Sequence, residues 1–333
     1  MKKVNEEILW AKVPLKNRLF LAPMAGSTQA QFRDIAANFA LALSCTELVS
    51  ARGICYDPEF QKNARYLDLG ENLSPTAIQL FGAEPEDFSK AIQLLLRQEA
   101  YREAAMIDIN MGCPVEKVVK TGAGSALMRD PMRAARVVEA SVKAAAVFGK
   151  EVTVKIRSGW DEAHINAPEF ARIMQEAGAA AITLHARTRQ AFYGGEADWE
   201  LIGECANKLS IPLAANGDIS SLVDCQKLLN VYGAEACMIG RAAVGRPWIF
   251  SEIIAAEKGE VYPIPSGEEW IGIIRKHLLG LMDCLGETKG VREFRSSLAA
   301  YIKGRPGAAA MRRELMQMES MQEVMGALEE LNK

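Results

Sequence analysis

The pattern that most limits what this chain can fold into is an alternation. Short apolar runs rich in β-branched residues are each followed by a longer segment of helical period. Eight runs read as strands: RLFLAP (18–23), SCTELV (44–49), TAIQLF (76–81), AMIDIN (105–110), VTVKIR (152–157), AAITLHA (180–186), IPLAAN (211–216) and EACMIG (235–240). Candidate helices lie near 28–40, 84–99, 130–148, 167–177, 198–208 and 219–230. Strands apolar along their length need cover on both faces, the situation of a parallel sheet with helical crossovers. Eight such units in about 240 residues predict a (β/α)8 TIM barrel. A doubly wound open sheet is the competing architecture. It calls for a Gly-rich turn after its first strand, and GxGxxG is absent. The connection after Val49 has little helical pattern and reads as a long excursion on the face where the strands end.

After about Arg246 the alternation stops. Three amphipathic helices are expected in IPSGEEWIGIIRKHLLGLMDCLGE, GVREFRSSLAAYIKG and AAMRRELMQMESMQEVMGALEELN, separated by GETKG and GRPG. The expected division is a catalytic barrel over 1–257 and a helical domain over 258–333. Over the 333 residues, 49% hydrophobic and 24% charged is the balance of a globular protein, not of a disordered chain or a fibre. No apolar run approaches the roughly 18 residues of a membrane span. The N-terminal MKKVNEEILWAKVPLKNRL carries charges where a signal peptide needs an apolar stretch, so a cytoplasmic location is expected. Seven irregularly spaced cysteines without a CxxC pair suggest neither a disulfide framework nor a zinc site. No HxH, HExxH or carboxylate cluster at ligand spacing calls for any other metal. Nothing in the chain demands a dimer, and a monomer is expected.

What ends each strand points to a site. In order these are Pro23-Met24-Ala25, Glu47, Gln79, Asn110, Lys155, His185, Asn216-Gly217-Asp218 and Gly240-Arg241. A parallel barrel brings all eight ends to one face, where barrel enzymes carry their sites. The loops after strands seven and eight are the usual phosphate-binding place, and NGDIS and MIGRAAVGRPW supply small residues, backbone N–H groups and the Arg241 guanidinium. Lys155 is costly to bury unless an anion meets it, although Schiff-base lysines also occur in barrels. Gln79 suits the edge of a flavin or a base, or is a satisfied strand-end amide. Cys113 lies in a Gly- and Pro-punctuated loop after strand four; its neutral thiol can donate a proton, and Gly112, Gly122 and Gly124 would let the loop close over a substrate. Of the other cysteines, Cys45 and Cys237 lie in apolar strands and Cys205, Cys225 and Cys284 in helical stretches, where packing is the expected role. His185 is either a solvated strand-end histidine or a donor to a phosphate; His164 and His277 read as surface or packing residues.

A net charge of −3 is not that of a cationic nucleic-acid binder. The tail supplies a local patch: from Thr288 to Arg313 there are seven basic residues and one acid, Glu293. On a helix Val291, Phe294, Leu298 and Ile302 form one apolar stripe, with Lys289, Arg292, Arg295 and Lys303 on a neighbouring face. Such a face is either simply solvated or the partner of a phosphate backbone.

LAPMAGSTQAQFR, TAIQLFG, DINMGCPVEKVVKTGAGSALM, VTVKIRSGW, ITLHARTR, PLAANGDI and MIGRAAVGRPWIF together resemble the bacterial tRNA-dihydrouridine synthases, from about Leu15 to the end. NMGCP with its glycine-containing loop is the most specific part. The resemblance implies FMN in a TIM barrel, NADPH as reductant and a C-terminal helical domain that helps grip tRNA. FMN would be held by Pro23, Met24, Ala25, Gln79, Lys155, Asn216, Gly217, Asp218, Gly240 and Arg241, with His185 touching it. Asn110 would help position the uracil. Hydride would pass to uracil C6, and Cys113 would act as general acid at C5. On the patch reading, Arg292 and Arg295 would contact tRNA. The competing function is a flavin barrel that reduces a small pyrimidine or enone, with the tail as a dimerisation element. A third is an RNA-binding protein that keeps a flavin for stability.

Overall fold

The computed structural model describes residues 1–71 and 74–332. An antiparallel hairpin, β1 (Ile8–Trp10) and β2 (Val13–Leu15), precedes the main sheet and was not expected from the sequence. The sheet itself comprises β3 (Leu19–Leu21), β4 (Ser44–Cys45), β5 (Val49–Ser50), β6 (Thr76–Phe81), β7 (Ile107–Met111), β8 (Val152–Arg157), β9 (Ala181–His185), β10 (Leu213–Asn216) and β11 (Ala236–Ile239). Its order is β3-β11-β10-β9-β8-β7-β6-β4, and every pairing is parallel. A parallel bridge between Phe20 and Leu43, with Leu21 N donating to Leu43 O at 2.9 Å, joins the two ends of that order. The expected second strand is split: β4 and β5 both pair with β6, and Thr46–Leu48 lie between them outside either strand. The result is the expected eight-unit barrel.

The period of two in each strand sorts its side chains. On β7, Ile107, Ile109 and Met111 face the helices, while Asp108 and Asn110 face the barrel axis. Crossover helices sit within a residue or a few of their expected places: Ala30–Ala37, Pro85–Arg97, Pro131–Ala146, Ala167–Glu176, Trp199–Lys208 and Leu222–Asn230. Pro85–Arg97 buries Phe88, Ala91, Ile92, Leu95 and Leu96, an i, i+3, i+4, i+7, i+8 stripe. Asp130, Asp198 and Ser221 cap their helices by accepting the N–H three residues on. The excursion after Val49 holds two short helices, Ala51–Tyr56 and Ala64–Leu67.

The hairpin closes the barrel floor. Trp10, 1% exposed, packs edge-on to Phe20 at 5.1 Å, in a cluster with Ala77, Met106, Ala181, Ala214, Ala236 and Met238. Small residues on several strands leave room there for one large ring.

The tail differs from expectation in two places. Thr288, Lys289 and Gly290 are helical, so Gly286 alone separates helix Gly267–Leu285 from helix Glu287–Tyr301. The third expected helix is two, Ala308–Glu314 and Met321–Leu331, because a capping box of Ser320 and Glu323 starts a new helix. These helices share a core of Trp270, Ile274, Leu278, Phe294, Leu298, Tyr301 and Leu328, with Trp248 contributed from the chain that follows β11. His277 is fully buried against Phe32, Phe294 and Tyr301, and burial lowers its pKa to about 3, so it packs as a neutral ring. Cys284, expected to pack, is exposed, with Gln31 Nε2 donating to its sulfur at 3.2 Å. Among the described residues no helix is long and apolar enough to cross a membrane.

Candidate active site

At the carboxyl ends of the strands lies a cavity of about 900 Å³, within the range of cofactor sites. Its lining includes Pro23, Met24, Ala25, Gln79, Asn110, Cys113, Lys155, His185, Asn216, Gly217, Asp218, Gly240 and Arg241. Of the strand-end residues read from the sequence, all but Glu47 meet in one place, together with Cys113. Glu47 does not line it. It lies beneath, where its carboxylate accepts from Gly26 N at 2.6 Å and steadies the Pro23–Ala25 loop.

The floor of the cavity is a chain of buried polar groups. Thr153 Oγ1 donates to Asp108 Oδ1 (2.6 Å), Gln79 Nε2 to Asp108 Oδ2 (2.7 Å), and Asn110 Nδ2 to Gln79 Oε1 (2.9 Å). Burial raises the Asp108 pKa to about 6, against the pull of those two donors. Lys155 Nζ donates to Asn216 Oδ1 at 3.0 Å, and Asn216 Nδ2 to Met238 O at 2.8 Å. Burial and then Arg157 draw the Lys155 pKa down to about 8, while Asp108 opposes them. No carboxylate pairs directly with this ammonium among the described residues, so its remaining donors are free to meet an anion in the cavity.

The Cys113 loop is held rather than loose. Asn110 Oδ1 accepts from Gly112 N (3.1 Å) and Cys113 N (2.8 Å). Ser125 donates from N (3.1 Å) and Oγ (2.9 Å) to Cys113 O. Arg157 Nε donates to Gly112 O at 2.9 Å. A Cβ on Gly124, whose φ is +59°, would lie 2.8 Å from Cys113 O, so that glycine permits close approach and not the loop closure its composition suggests. Burial raises the Cys113 pKa, which keeps it a thiol. Asn110 is engaged at both ends of its amide, leaving one N–H for any substrate.

At the other end, Asp218 (φ +56°) turns its side chain away from the strands. It accepts from Arg187 Nη2 (2.6 Å), Arg241 Nη2 (3.0 Å) and Ala197 N (2.8 Å). Arg241 therefore stands half-exposed at the rim, over the Tyr193 ring at 5.3 Å. His185 is buried next to Lys155, Arg157, Arg187 and Arg241; burial and those four positive charges drive its pKa far down, and it is a neutral imidazole. Sequence reading missed Arg157, Arg187 and Tyr193. Arg157 was findable, because it stands two residues after Lys155 on one strand and so shares its face. It also donates to Thr188 O and Phe192 O, both at 2.8 Å, which brings Tyr193 to the cavity.

The tail residues fall elsewhere. Arg295 donates from Nε and Nη2 to Met318 O, and Arg292 pairs with Glu319 at 2.5 Å, so both brace the helices. Glu293 pairs with Arg65 of the excursion at 3.1 Å. Lys303, exposed and without a carboxylate partner among the described residues, lines the cavity mouth.

A model of the family described as dihydrouridine synthase matches residues 20–333. The tRNA-dihydrouridine synthase B of Xanthomonas axonopodis pv. citri is 40% identical over 303 residues, 89% of this chain and 86% of that protein. That of Proteus vulgaris is 37% identical over 95% of each chain. Among solved structures, morphinone reductase superposes with a TM-score of 0.53 at 12% identity, over 80% of this chain and 92% of that one. An old yellow enzyme homologue from Zymomonas mobilis superposes with a TM-score of 0.56 at 13% identity, over 79% and 94%. At that identity the likeness is one of fold.

Proposed function

The chain belongs to the dihydrouridine synthase family, and from that premise we propose that it reduces the C5–C6 double bond of specific uridines in tRNA to 5,6-dihydrouridine, with FMN as cofactor and NADPH as donor. The observation that carries the reading is that a half-buried neutral thiol, Cys113, and a buried ammonium, Lys155, open onto one cavity at the strand ends.

The residues present fit FMN. Lys155 offers unpaired donors to an anionic ring, and the buried Arg187 Nη1 has no partner among the described residues. Pro23, Met24, Ala25, Gln79, Asn216 and His185 would hold the ring system; the backbone N–H groups of Gly217, Asp218 and Gly240 with the Arg241 guanidinium would hold the phosphate end. Reduced FMN supplies the hydride that reaches uracil C6.

This chain's residues do the rest. Lys155 stabilises negative charge without giving up its proton. Cys113 Sγ–H delivers a proton to uracil C5 as C6 gains its hydride, which saturates the bond, and solvent reprotonates the sulfur. Asn110 and Arg157 keep that thiol in place, and the spare N–H of Asn110 is available to a uracil carbonyl. The target base has to leave the folded tRNA to enter a cavity at the strand ends. The helical unit, 258–333, is the surface that grips the RNA, and a monomeric cytoplasmic enzyme is consistent with this.

The test is anaerobic. The NADPH-reduced enzyme is mixed with tRNA lacking dihydrouridine, flavin reoxidation is followed, and the RNA is assayed for the reduced base. Fast reoxidation with new dihydrouridine is expected. A flavin that stays reduced with tRNA yet reoxidises with a small enone would defeat the proposal.

A further inference from the structure

We propose that Asp108 is a positioning residue for this reaction: its carboxylate sets the amide orientation of Gln79 and, through Asn110, the place of the Cys113 loop. The consequence for turnover rests on the functional reading above; the geometry does not.

Asp108 does not line the cavity. It sits on β7, 4% exposed, one inward position below Asn110. Neither Gln nor Asn fixes its own orientation by shape, since the two ends of an amide are nearly the same size and differ only in donating or accepting. An ionised carboxylate only accepts, so Gln79 has to turn its NH2 to Asp108 Oδ2. Gln79 Oε1 is then left to accept from Asn110 Nδ2. Asn110 in turn presents its oxygen to the N–H groups of Gly112 and Cys113.

The far end is as strict as the near one, because a backbone N–H only donates. Between an acceptor-only group and a donor-only group, two amides have one arrangement in which every bond is made. Flipping either puts donor against donor in a buried site. Thr153 Oγ1 holds the second carboxylate oxygen, so Asp108 does not rotate to escape. Asp108 thus gives polarity to a chain that runs along the cavity floor to Cys113.

Asp108 also attracts Lys155, and two substitutions separate the roles. Asp108→Asn keeps an oxygen for Gln79 by turning its NH2 to Thr153 Oγ1, and loses only the charge. Asp108→Leu loses both. Amide hydrogen exchange on the flavin-loaded protein is compared with single-turnover reoxidation by tRNA and by oxygen. In the leucine variant, exchange at Gly112 and Cys113 is expected to speed up about tenfold or more, the size of a lost buried hydrogen bond, with β8 unchanged. Reoxidation by tRNA falls by a similar factor, while reoxidation by oxygen, which needs no thiol, does not change. The asparagine variant stays near wild type in all three. Unchanged exchange at those two amides in Asp108→Leu, or equal damage in Asp108→Asn, overturns the proposal. If the leucine variant does not fold, Asp108→Ala replaces it. A wild-type enzyme that tRNA fails to reoxidise refutes the functional reading, and the exchange comparison still judges Asp108.

Discussion

A cysteine that works as an acid has to be kept protonated, the opposite of what a nucleophile needs. Burial raises the Cys113 pKa, and His185, whose own pKa burial and neighbouring positive charges drive far down, is too weak a base to take its proton. Cys113→Ala should therefore keep its flavin and lose turnover by about 10²-fold or more, measured as dihydrouridine formed per flavin. Lys155 makes a stability prediction of definite sign. Its folded pKa lies below its unfolded value, so its contribution is complete above the unfolded pKa and is lost as pH falls through about 8. At pH 7 the flavin-free fold bears the cost of burying a charge. Lys155→Met should then raise unfolding stability at pH 7 by on the order of 1–3 kcal/mol, and the advantage should vanish near pH 10. Denaturant titrations at the two pH values check this; a variant less stable than wild type at pH 7 contradicts it.

Between elements, the contact that matters for function is the one that brings helix Glu287–Tyr301 onto the loop after β11. A Cβ on Gly245, at φ +75°, would lie 2.6 Å from Tyr301 N, so only glycine lets the two backbones meet. Lys303 follows two residues later and reaches the cavity mouth. Gly245→Ala should displace that helix end and weaken tRNA binding about tenfold or more, on the ~1–3 kcal/mol scale of a strained backbone position, while reduction of the flavin by NADPH proceeds as before. Binding measured beside stopped-flow reduction separates the two effects.

Over the whole molecule, a net charge of −3 coexists with a basic tail, so attraction to RNA has to be local. Arg292, Arg295 and Arg312 are committed to Glu319, Met318 and Ala299, and Arg305 stacks over the Trp270 ring, which leaves Lys289, Lys303 and Arg313 as the side chains without an internal partner among the described residues. Lys303→Glu should weaken tRNA binding and flatten its dependence on salt by about one unit of log–log slope, whereas Arg292→Glu should do less. Equal effects at both positions would return the contact to the face seen in the sequence.

The sequence alone determined the barrel, its crossover helices and the thirteen barrel residues that line the cavity. Strand and helix periods are local, and a parallel barrel has only one face where strands end. Only the tertiary structure decided what those residues do to one another. That Asp108 orders two amides, that Arg157 pins the Cys113 loop, that Trp10 plugs the floor and that Arg295 braces a turn all depend on contacts between residues far apart in the chain. Periodicity says which way a side chain points. The partner it meets is set by strand register, and register is settled when the barrel closes.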